Sequence, residues 1–222
     1  MAVIYFDGDQ TLWDFEALMR RTLAATIDEL RRLRPELSGD LTVDAFVADR
    51  DSVAAHLRGS TTNLEAIRLA AFEHSLRRFG VPDSSLASHL NAFYLERRFA
   101  SVDLFDDVVP VLEELSREHT IGLLSNGNSY PNRVGLERYF SATVFAQDHG
   151  VAKPDPRIYA VAEQALPGND FVMVGDSITD DILGAQAFAW TAIWVNREGA
   201  ELPAGVNPDD IVENLVALPS LL

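Results

Sequence analysis

The sequence predicts an α/β fold, a doubly wound parallel sheet with a block of α-helices inserted after the first strand. Short apolar runs alternate with helical patterns in the second half of the chain, which is typical of βαβ units. Residues 15–98, by contrast, carry helical patterns without a strand pattern. Polar residues directly follow several of the apolar runs, and the carboxyl ends of parallel strands share one crevice. That edge of the sheet is therefore the expected functional site.

The first predicted strand is residues 2–6, an apolar run rich in β-branched and aromatic side chains. Asp7, Gly8 and Asp9 follow it, with Thr11 two positions further on. Two carboxylates at the end of a buried strand are costly unless another group offsets their charge, and a divalent metal with a phosphoryl group would do so. Such a short motif also matches by chance. The alternative is a polar loop in which Asp9 or Thr11 caps the next element.

Four helices are predicted between the first and second strands. Their apolar residues recur at helical spacing, and polar, glycine or proline residues mark several of their ends. The predicted helices cover residues 14–33, 42–57, 62–79 and 84–99. We expect this block to pack as a helical subdomain.

The rest of the chain alternates strands and helices. Strands are predicted at residues 120–124, 142–145, 171–174 and 191–195. Helices are predicted at residues 106–118, 155–166 and 182–188. Linkers between the two parts are expected near residues 12–15 and 98–104.

Composition narrows the class of protein. The chain has 222 residues, 47% of them hydrophobic, and a formal net charge of −16. That charge argues against binding to nucleic acid or to an anionic membrane. The absence of cysteine excludes disulfides and thiol catalysis. We expect no signal peptide, because the first residues predict a strand, and no apolar run approaches the roughly 18 residues of a membrane span. A cytoplasmic protein is therefore expected.

The sequence contains one lysine, Lys153, among many arginines. A general preference for arginine explains most of this bias. One interpretation is that Lys153 is an exposed surface lysine that was not replaced by arginine. The other is that its site needs a compact ammonium where a planar guanidinium would not fit.

Four polar clusters mark the predicted edge of the sheet. Three follow predicted strands, and Lys153 precedes a helix. The clusters are Asp7 with Asp9 and Thr11, Ser125 with Asn126, Lys153, and Asp176 with Asp180 and Asp181. Carboxylates from two strands, a hydroxyl and a cation are suited to phosphoryl transfer assisted by Mg²⁺.

This set, in this order, resembles the haloacid dehalogenase (HAD) superfamily of hydrolases. The match covers nearly the whole chain: strand–DxDxT, strand–SN, KP and strand–GDxxxxD. The resemblance implies a Rossmann-like core formed by residues 1–14 and 99–222. It also implies that residues 15–98 are a helical cap of the C1 type that closes over the site.

The resemblance also implies roles for individual residues. Asp7 would be the nucleophile that forms an aspartyl-phosphate. Asp9 would first protonate the leaving group and then activate water. Thr11 would help to orient the Asp9 loop. Gln10 departs mildly from the family, in which Asp, Asn or Gly is commoner at this position.

Further roles concern the phosphoryl group and the metal. Ser125 and the backbone amide of Asn126 would bind phosphoryl oxygens, and Lys153 would neutralise charge. The implied ligands of Mg²⁺ are Asp7, the backbone carbonyl of Asp9 and Asp176. Asp181 would hold a metal-bound water, with Asp180 as the competing candidate.

Two other features have less certain roles. Arg58, in the loop of residues 58–63 between two predicted cap helices, would bind a distal anionic group of a substrate, although a plain connector is favoured. Trp13 and Phe15 are interpreted as packing between core and cap rather than as substrate contacts.

The predicted function is a Mg²⁺-dependent phosphomonoesterase for a small soluble phosphorylated metabolite, acting as a monomer or homodimer. Family dehalogenases characteristically carry an aromatic residue in place of Asp9. Family phosphonatases need a cap lysine, which is absent from residues 15–98. A phosphomutase, a dehalogenase and a non-catalytic phospho-binding module remain the alternatives.

Overall fold

The computed structural model describes residues 1–37, 41–100 and 102–222. Within these ranges, six strands form one parallel sheet with the order β3-β2-β1-β4-β5-β6. The strands are β1 Val3–Phe6, β2 Thr120–Ser125, β3 Ala142–Phe145, β4 Phe171–Gly175, β5 Thr191–Val195 and β6 Asp210–Val212. The predicted α/β class with a parallel sheet and a helical insert after β1 is confirmed.

Strand β1 lies between β2 and β4, with Ile4 opposite Ile121 on one side and Val172 on the other. All four residues of β1 are buried, which explains why the run is continuously apolar rather than alternating. Tyr5 stacks on Trp190 with ring centroids 5.5 Å apart. The residue that follows this central strand therefore emerges in the middle of the sheet edge.

Four long helices follow β1. They are α1 Phe15–Leu33, α2 Val43–Leu57, α3 Leu64–Arg78 and α4 Ser84–Ala100. Thr42 caps α2 as predicted, since its hydroxyl accepts a hydrogen bond from the backbone N–H of Ala45 at 3.2 Å. Helix α3 begins later than predicted because Asn63 caps it in the same way, accepting from Ala66 N at 3.0 Å.

The remaining helices are shorter. They are α5 Val108–Leu115, α6 Pro131–Val134, α7 Ala146–His149, α8 Pro156–Ala165, α9 Gly184–Ala187 and α10 Leu218–Leu221. The helix predicted at 106–118 is thus shorter than expected. The helix predicted at 182–188 instead begins with a π-helical turn, Ile178–Leu183, whose first residue follows the cap Ser177.

The chain divides into two compact units, Met1–Asp14 with Asp103–Leu222, and Phe15–Val102. The helical unit has its own apolar core, in which Phe46, Phe72, Leu76 and Leu90 are buried. Assignment of these units as catalytic core and cap stays a prediction. Among the described residues, no helix combines the length and hydrophobicity needed to cross a membrane. The cytoplasmic location stays a prediction.

Candidate active site

Lys153 lies at the centre of the polar groups at the sheet edge. Its Nζ donates to Asp7 Oδ1 at 2.7 Å, to Asp181 Oδ1 at 2.6 Å and to the carbonyl oxygen of Leu124 at 2.7 Å. An ammonium has three N–H donors, so all of them are used. The side chain is 1% exposed. The interpretation of Lys153 as a surviving surface residue is therefore wrong.

The charge on Lys153 depends on its two carboxylate partners. Burial alone would lower the pKa of Lys153, but Asp181 and Asp7 outweigh it and raise that pKa above the ordinary value. The ammonium is therefore charged at neutral pH. A planar guanidinium would not make these three convergent contacts, which accounts for lysine at this position.

Three carboxylates lie together at this edge, and two of them, Asp7 and Asp181, contact the ammonium. Oxygen atoms of Asp7, Asp176 and Asp181 lie within 4.8 Å of one another. Burial and the charge of Asp7 raise the pKa of Asp176, and burial also raises the pKa of Asp181 despite Lys153 nearby. One lysine cannot compensate three carboxylates. This set of oxygen donors therefore fits a divalent metal.

Asp181, and not its neighbour Asp180, lies in this group. The difference arises at the start of the π-helical turn, where Ser177 Oγ accepts from the N–H of Asp180 and Asp181 Oδ2 accepts from the N–H of Ser177 at 2.9 Å. Gly175 leaves room for this arrangement, because an added Cβ there would lie 2.2 Å from Asp181 Oδ2. The Asp180 side chain instead accepts a hydrogen bond from Asn126 Nδ2 at 3.1 Å.

Asn126 holds the loop that carries Lys153. Its Oδ1 accepts from Lys153 N at 2.8 Å, and its Nδ2 donates to Lys153 O at 3.0 Å. Beside it, Ser125 is buried and accepts from Gly127 N at 3.0 Å. The Asn126 side chain thus positions the lysine, a function that the sequence did not indicate. The predicted contacts of Ser125 and of the Asn126 amide with a phosphoryl group stay predictions.

Thr11 connects the first loop to the acidic group. Its buried hydroxyl donates to Asp176 Oδ1 at 3.3 Å. Its carbonyl accepts from Arg197 Nη2 at 2.9 Å, and the same guanidinium bonds both carboxylate oxygens of Asp107. Arg197 was missed at the sequence level because no local pattern connects residues 186 positions apart.

Asp9 accepts a hydrogen bond from Trp13, a residue that the sequence indicates only as packing between core and cap. Trp13 Nε1 donates to Asp9 Oδ1 at 2.7 Å, and the Trp13 side chain is fully buried. Its ring lies against Gly8, where an added Cβ would be 2.3 Å from the ring carbon Cζ2. A residue without a side chain is therefore required at position 8 so that the indole can pack there. This requirement is separate from the tight turn that a glycine also permits.

A family model described as haloacid dehalogenase-like hydrolase matches residues 1–189. The chain belongs to this hydrolase family. The predicted recognition is confirmed, and the helical insert α1–α4 is consistent with the C1-type cap of the HAD superfamily.

The HAD relatives include both phosphatases and dehalogenases. Pyrimidine 5'-nucleotidase YjjG of Escherichia coli (strain K12) is 28% identical over 99% of this chain and 96% of its own length. N-acylneuraminate-9-phosphatase of Mus musculus is 28% identical over 99% of this chain and 92% of its own. The crystal structure of 2-haloacid dehalogenase from Pseudomonas syringae pv. Tomato DC3000 matches with 32% identity and a TM-score of 0.81, covering 100% of this chain and 97% of the other. Family membership therefore does not by itself choose the chemistry.

Among the predicted site residues, Arg58 alone belongs to the helical unit. It is exposed and lies at the C-terminal end of α2. Its predicted contact with a distal anionic group of a substrate stays a prediction.

Proposed function

We propose that this HAD hydrolase is a phosphomonoesterase that uses Mg²⁺ and acts on a small phosphorylated metabolite through an aspartyl-phosphate. The observation that carries the proposal is the presence of two carboxylates, Asp7 and Asp9, at the end of β1. Release of an alcohol from a phosphate ester requires a proton, whereas a halide leaves without one. A carboxylic acid at position 9 therefore serves ester hydrolysis and has no comparable use in dehalogenation.

The first half of the proposed reaction transfers the phosphoryl group to the enzyme. A carboxylate oxygen of Asp7 forms a bond to phosphorus while the bond from phosphorus to the ester oxygen breaks. Asp9 supplies its proton to the departing alkoxide. Lys153, 2.7 Å from Asp7, offsets the negative charge that collects there. A bound divalent metal would contribute further neutralisation of the phosphoryl oxygens.

The second half releases phosphate. Asp9, now a carboxylate, takes a proton from a water molecule that attacks phosphorus, and the bond between Asp7 and phosphorus breaks. Asp7 returns to its starting form and Asp9 is protonated again. Ser125 and the backbone amide of Asn126 are assigned to the phosphoryl oxygens in both halves.

The substrate class is inferred from the relatives. YjjG and the mouse phosphatase are named for action on a pyrimidine nucleotide and on an N-acylneuraminate 9-phosphate, both small phosphate monoesters. The similarity of the two chains to this one over nearly its full length supports a substrate of that kind. A dehalogenase is the second candidate, because of the 32% identity to the Pseudomonas syringae structure.

Phosphate release from p-nitrophenyl phosphate, with Mg²⁺ and with EDTA, tests the proposal. The same preparation is offered 2-chloropropionate, and chloride release is measured. We expect metal-dependent phosphate release that Asp7→Asn abolishes and that the exposed control Asp28→Asn retains. Chloride release without phosphate release would replace the proposal by a dehalogenase. Equal phosphate release by wild type and Asp7→Asn would refute the assignment of the nucleophile.

A further inference from the structure

We propose that Trp13 is a positioning residue for Asp9. The indole fixes one oxygen of the Asp9 carboxyl group, so that the other oxygen always faces the reacting group. The proposal rests on the proposed phosphatase function, in which Asp9 is the acid and base. It assigns a role to a residue that none of the catalytic motifs includes.

The contact between the two side chains is short, its donor is buried and its acceptor Asp9 is half-buried. Trp13 Nε1 lies 2.7 Å from Asp9 Oδ1, and the Trp13 side chain has no exposed surface. A hydrogen bond to a carboxylate in such surroundings is stronger than one in water. An indole is also rigid, so the donor cannot move away without displacing the whole ring. The orientation of the Asp9 carboxyl group is therefore set by the indole.

The backbone of the same segment holds the indole in place. Leu12 N donates to the carbonyl oxygen of Gly8 at 2.8 Å, and Gln10 N donates to the carbonyl oxygen of Trp13 at 2.8 Å. Gln10 adopts a left-handed conformation, with φ 61°, that allows the chain to close this turn. Asp9 and Trp13 also form an isolated β-bridge, so the two residues are paired through their main chains as well as their side chains.

Gly127 lies on the other side of the Asp9 carboxyl group. A Cβ added to Gly127 would lie 2.8 Å from Asp9 Oδ2. The carboxyl group therefore fits between the indole and the loop after β2. The same Cβ would lie 3.2 Å from Ser125 Oγ, so Asp9 Oδ2 and the Ser125 hydroxyl adjoin the same position of that loop. Oδ2 therefore lies on the side of the region that we assign to the phosphoryl group.

The chemistry of the indole explains why a tryptophan suits this position. An indole N–H only donates, so Asp9 Oδ1 must accept whether the carboxyl group is protonated or ionised. The transferable proton is therefore carried by Oδ2 in both halves of the reaction. One fixed donor keeps the acid and the base in the same orientation, which is the geometric requirement for proton transfer.

Trp13→Phe tests this role because it keeps an aromatic side chain at this buried position and removes the donor. Trp190→Phe is the matched control, since Trp190 Nε1 also donates to a carboxylate, Glu163 Oε1, at 3.0 Å in the core. Both variants and the wild type are assayed as kcat/KM on p-nitrophenyl phosphate, whose leaving group needs little protonation, and on phenyl and benzyl phosphate, which leave as stronger bases.

We expect Trp13→Phe to lower kcat/KM by roughly 10- to 100-fold on phenyl and benzyl phosphate and by less than about threefold on p-nitrophenyl phosphate. Trp190→Phe should lower all three values equally or leave them unchanged. A loss in Trp13→Phe that is the same for all three esters, or no loss, would overturn the positioning role. Absence of phosphate release by the wild type would refute the proposed function instead.

A second measurement is independent of activity. The chain has three tryptophans and so gives three indole N–H signals in a ¹H–¹⁵N spectrum. The signal of Trp13 is identified by its loss in Trp13→Phe. Asp9→Ala should shift that signal and leave those of Trp190 and Trp194 in place. A Trp13 signal that does not change in Asp9→Ala would show that the indole does not hold the carboxyl group in solution.

Discussion

Lys153 Nζ lies 2.6 Å from Asp181 Oδ1, and each side chain is 1% exposed. This buried pair joins the loop before α8 to the π-helical turn after β4, and the same ammonium reaches Asp7 after β1. Charges from three segments of the chain thus depend on one cation. Removal of that cation leaves buried carboxylates without a compensating charge. The free-energy cost of those uncompensated charges is larger than the stabilisation that the ion pair itself provides.

We therefore expect Lys153→Met to abolish activity and to lower the free energy of unfolding by about 3–5 kcal/mol in the absence of metal. Urea unfolding and turnover of p-nitrophenyl phosphate measure the two effects. Arg157→Met is the control, because Arg157 forms an exposed pair with Asp155 and should cost less than about 1 kcal/mol. Equal effects of the two substitutions would contradict the role of Lys153.

Two neighbouring aspartates should differ in their effect on metal binding. Asp181→Asn should weaken Mg²⁺ binding by about 10- to 100-fold, since Asp181 belongs to the acidic group with Asp7 and Asp176. Asp180→Asn should change it by less than about threefold, because an amide oxygen can still accept from Asn126. Titration calorimetry on both variants measures the difference. The reverse order would assign Asp180 to the metal.

Metal binding should release protons and weaken at low pH. Metal ligands must be ionised, and the pKa values of Asp176 and Asp181 are raised by burial and by neighbouring carboxylates. Protons therefore compete with the metal at a higher pH than they do for ordinary carboxylates. Calorimetry in buffers of different ionisation enthalpy should show proton release on binding near neutral pH. Carboxylates with raised pKa values should titrate roughly between pH 5 and 8. A metal affinity that does not change over this range would contradict the predicted competition between protons and metal.

Gln10 should be a site of stabilisation. Gln10 and Ala189 have φ values of 61° and 63°, and a left-handed backbone costs a residue with a Cβ about 1–2 kcal/mol. Glycine removes that cost. It also adds chain entropy to the unfolded state, which offsets part of the gain, so each glycine variant should be more stable by about 0.5–1 kcal/mol. Ala160→Gly within α8 is the opposite control and should destabilise. Urea unfolding of the three variants measures these changes.

The contact between Gly8 and the Trp13 ring should appear as an interaction between substitutions. Gly8→Ala places a methyl group against the ring and should cost about 1–3 kcal/mol. In a Trp13→Ala background the obstruction is gone, so the same change should cost much less. A double-mutant cycle measured by urea unfolding gives the coupling. Additive costs would mean that the methyl group finds space without moving the indole.

The location of the site could be predicted from sequence because its residues follow recognisable strands. Asp7, Ser125 and Asp176 come at the ends of β1, β2 and β4, and parallel pairing brings those ends together. Lys153 has no such marker, and its place followed from its being the one lysine and from the family pattern. The choice between Asp180 and Asp181 depended on how the π-helical turn rotates its first residues, which no periodicity reveals.

Other contacts were beyond sequence reasoning for physical reasons. Arg197 binds the carbonyl of Thr11 from another part of the fold, and a main-chain acceptor leaves no trace in the sequence. Trp13 is only four residues from Asp9, but the turn between them is irregular, so helix or strand spacing does not predict that their side chains meet. Strand β6 has three residues and an exposed Ile211, too little pattern to indicate a strand.

The burial of Lys153 has a practical consequence for measuring how the fold opens. Its ε-amine is the one such group in the chain, and its three N–H donors are engaged in the folded state. An acylating reagent added to the native protein therefore reaches an ε-amine when the sheet edge opens and not before. Each labelled ε-amine counts one opening event, and the dependence of the labelling rate on urea would show whether the edge opens locally or with the whole domain.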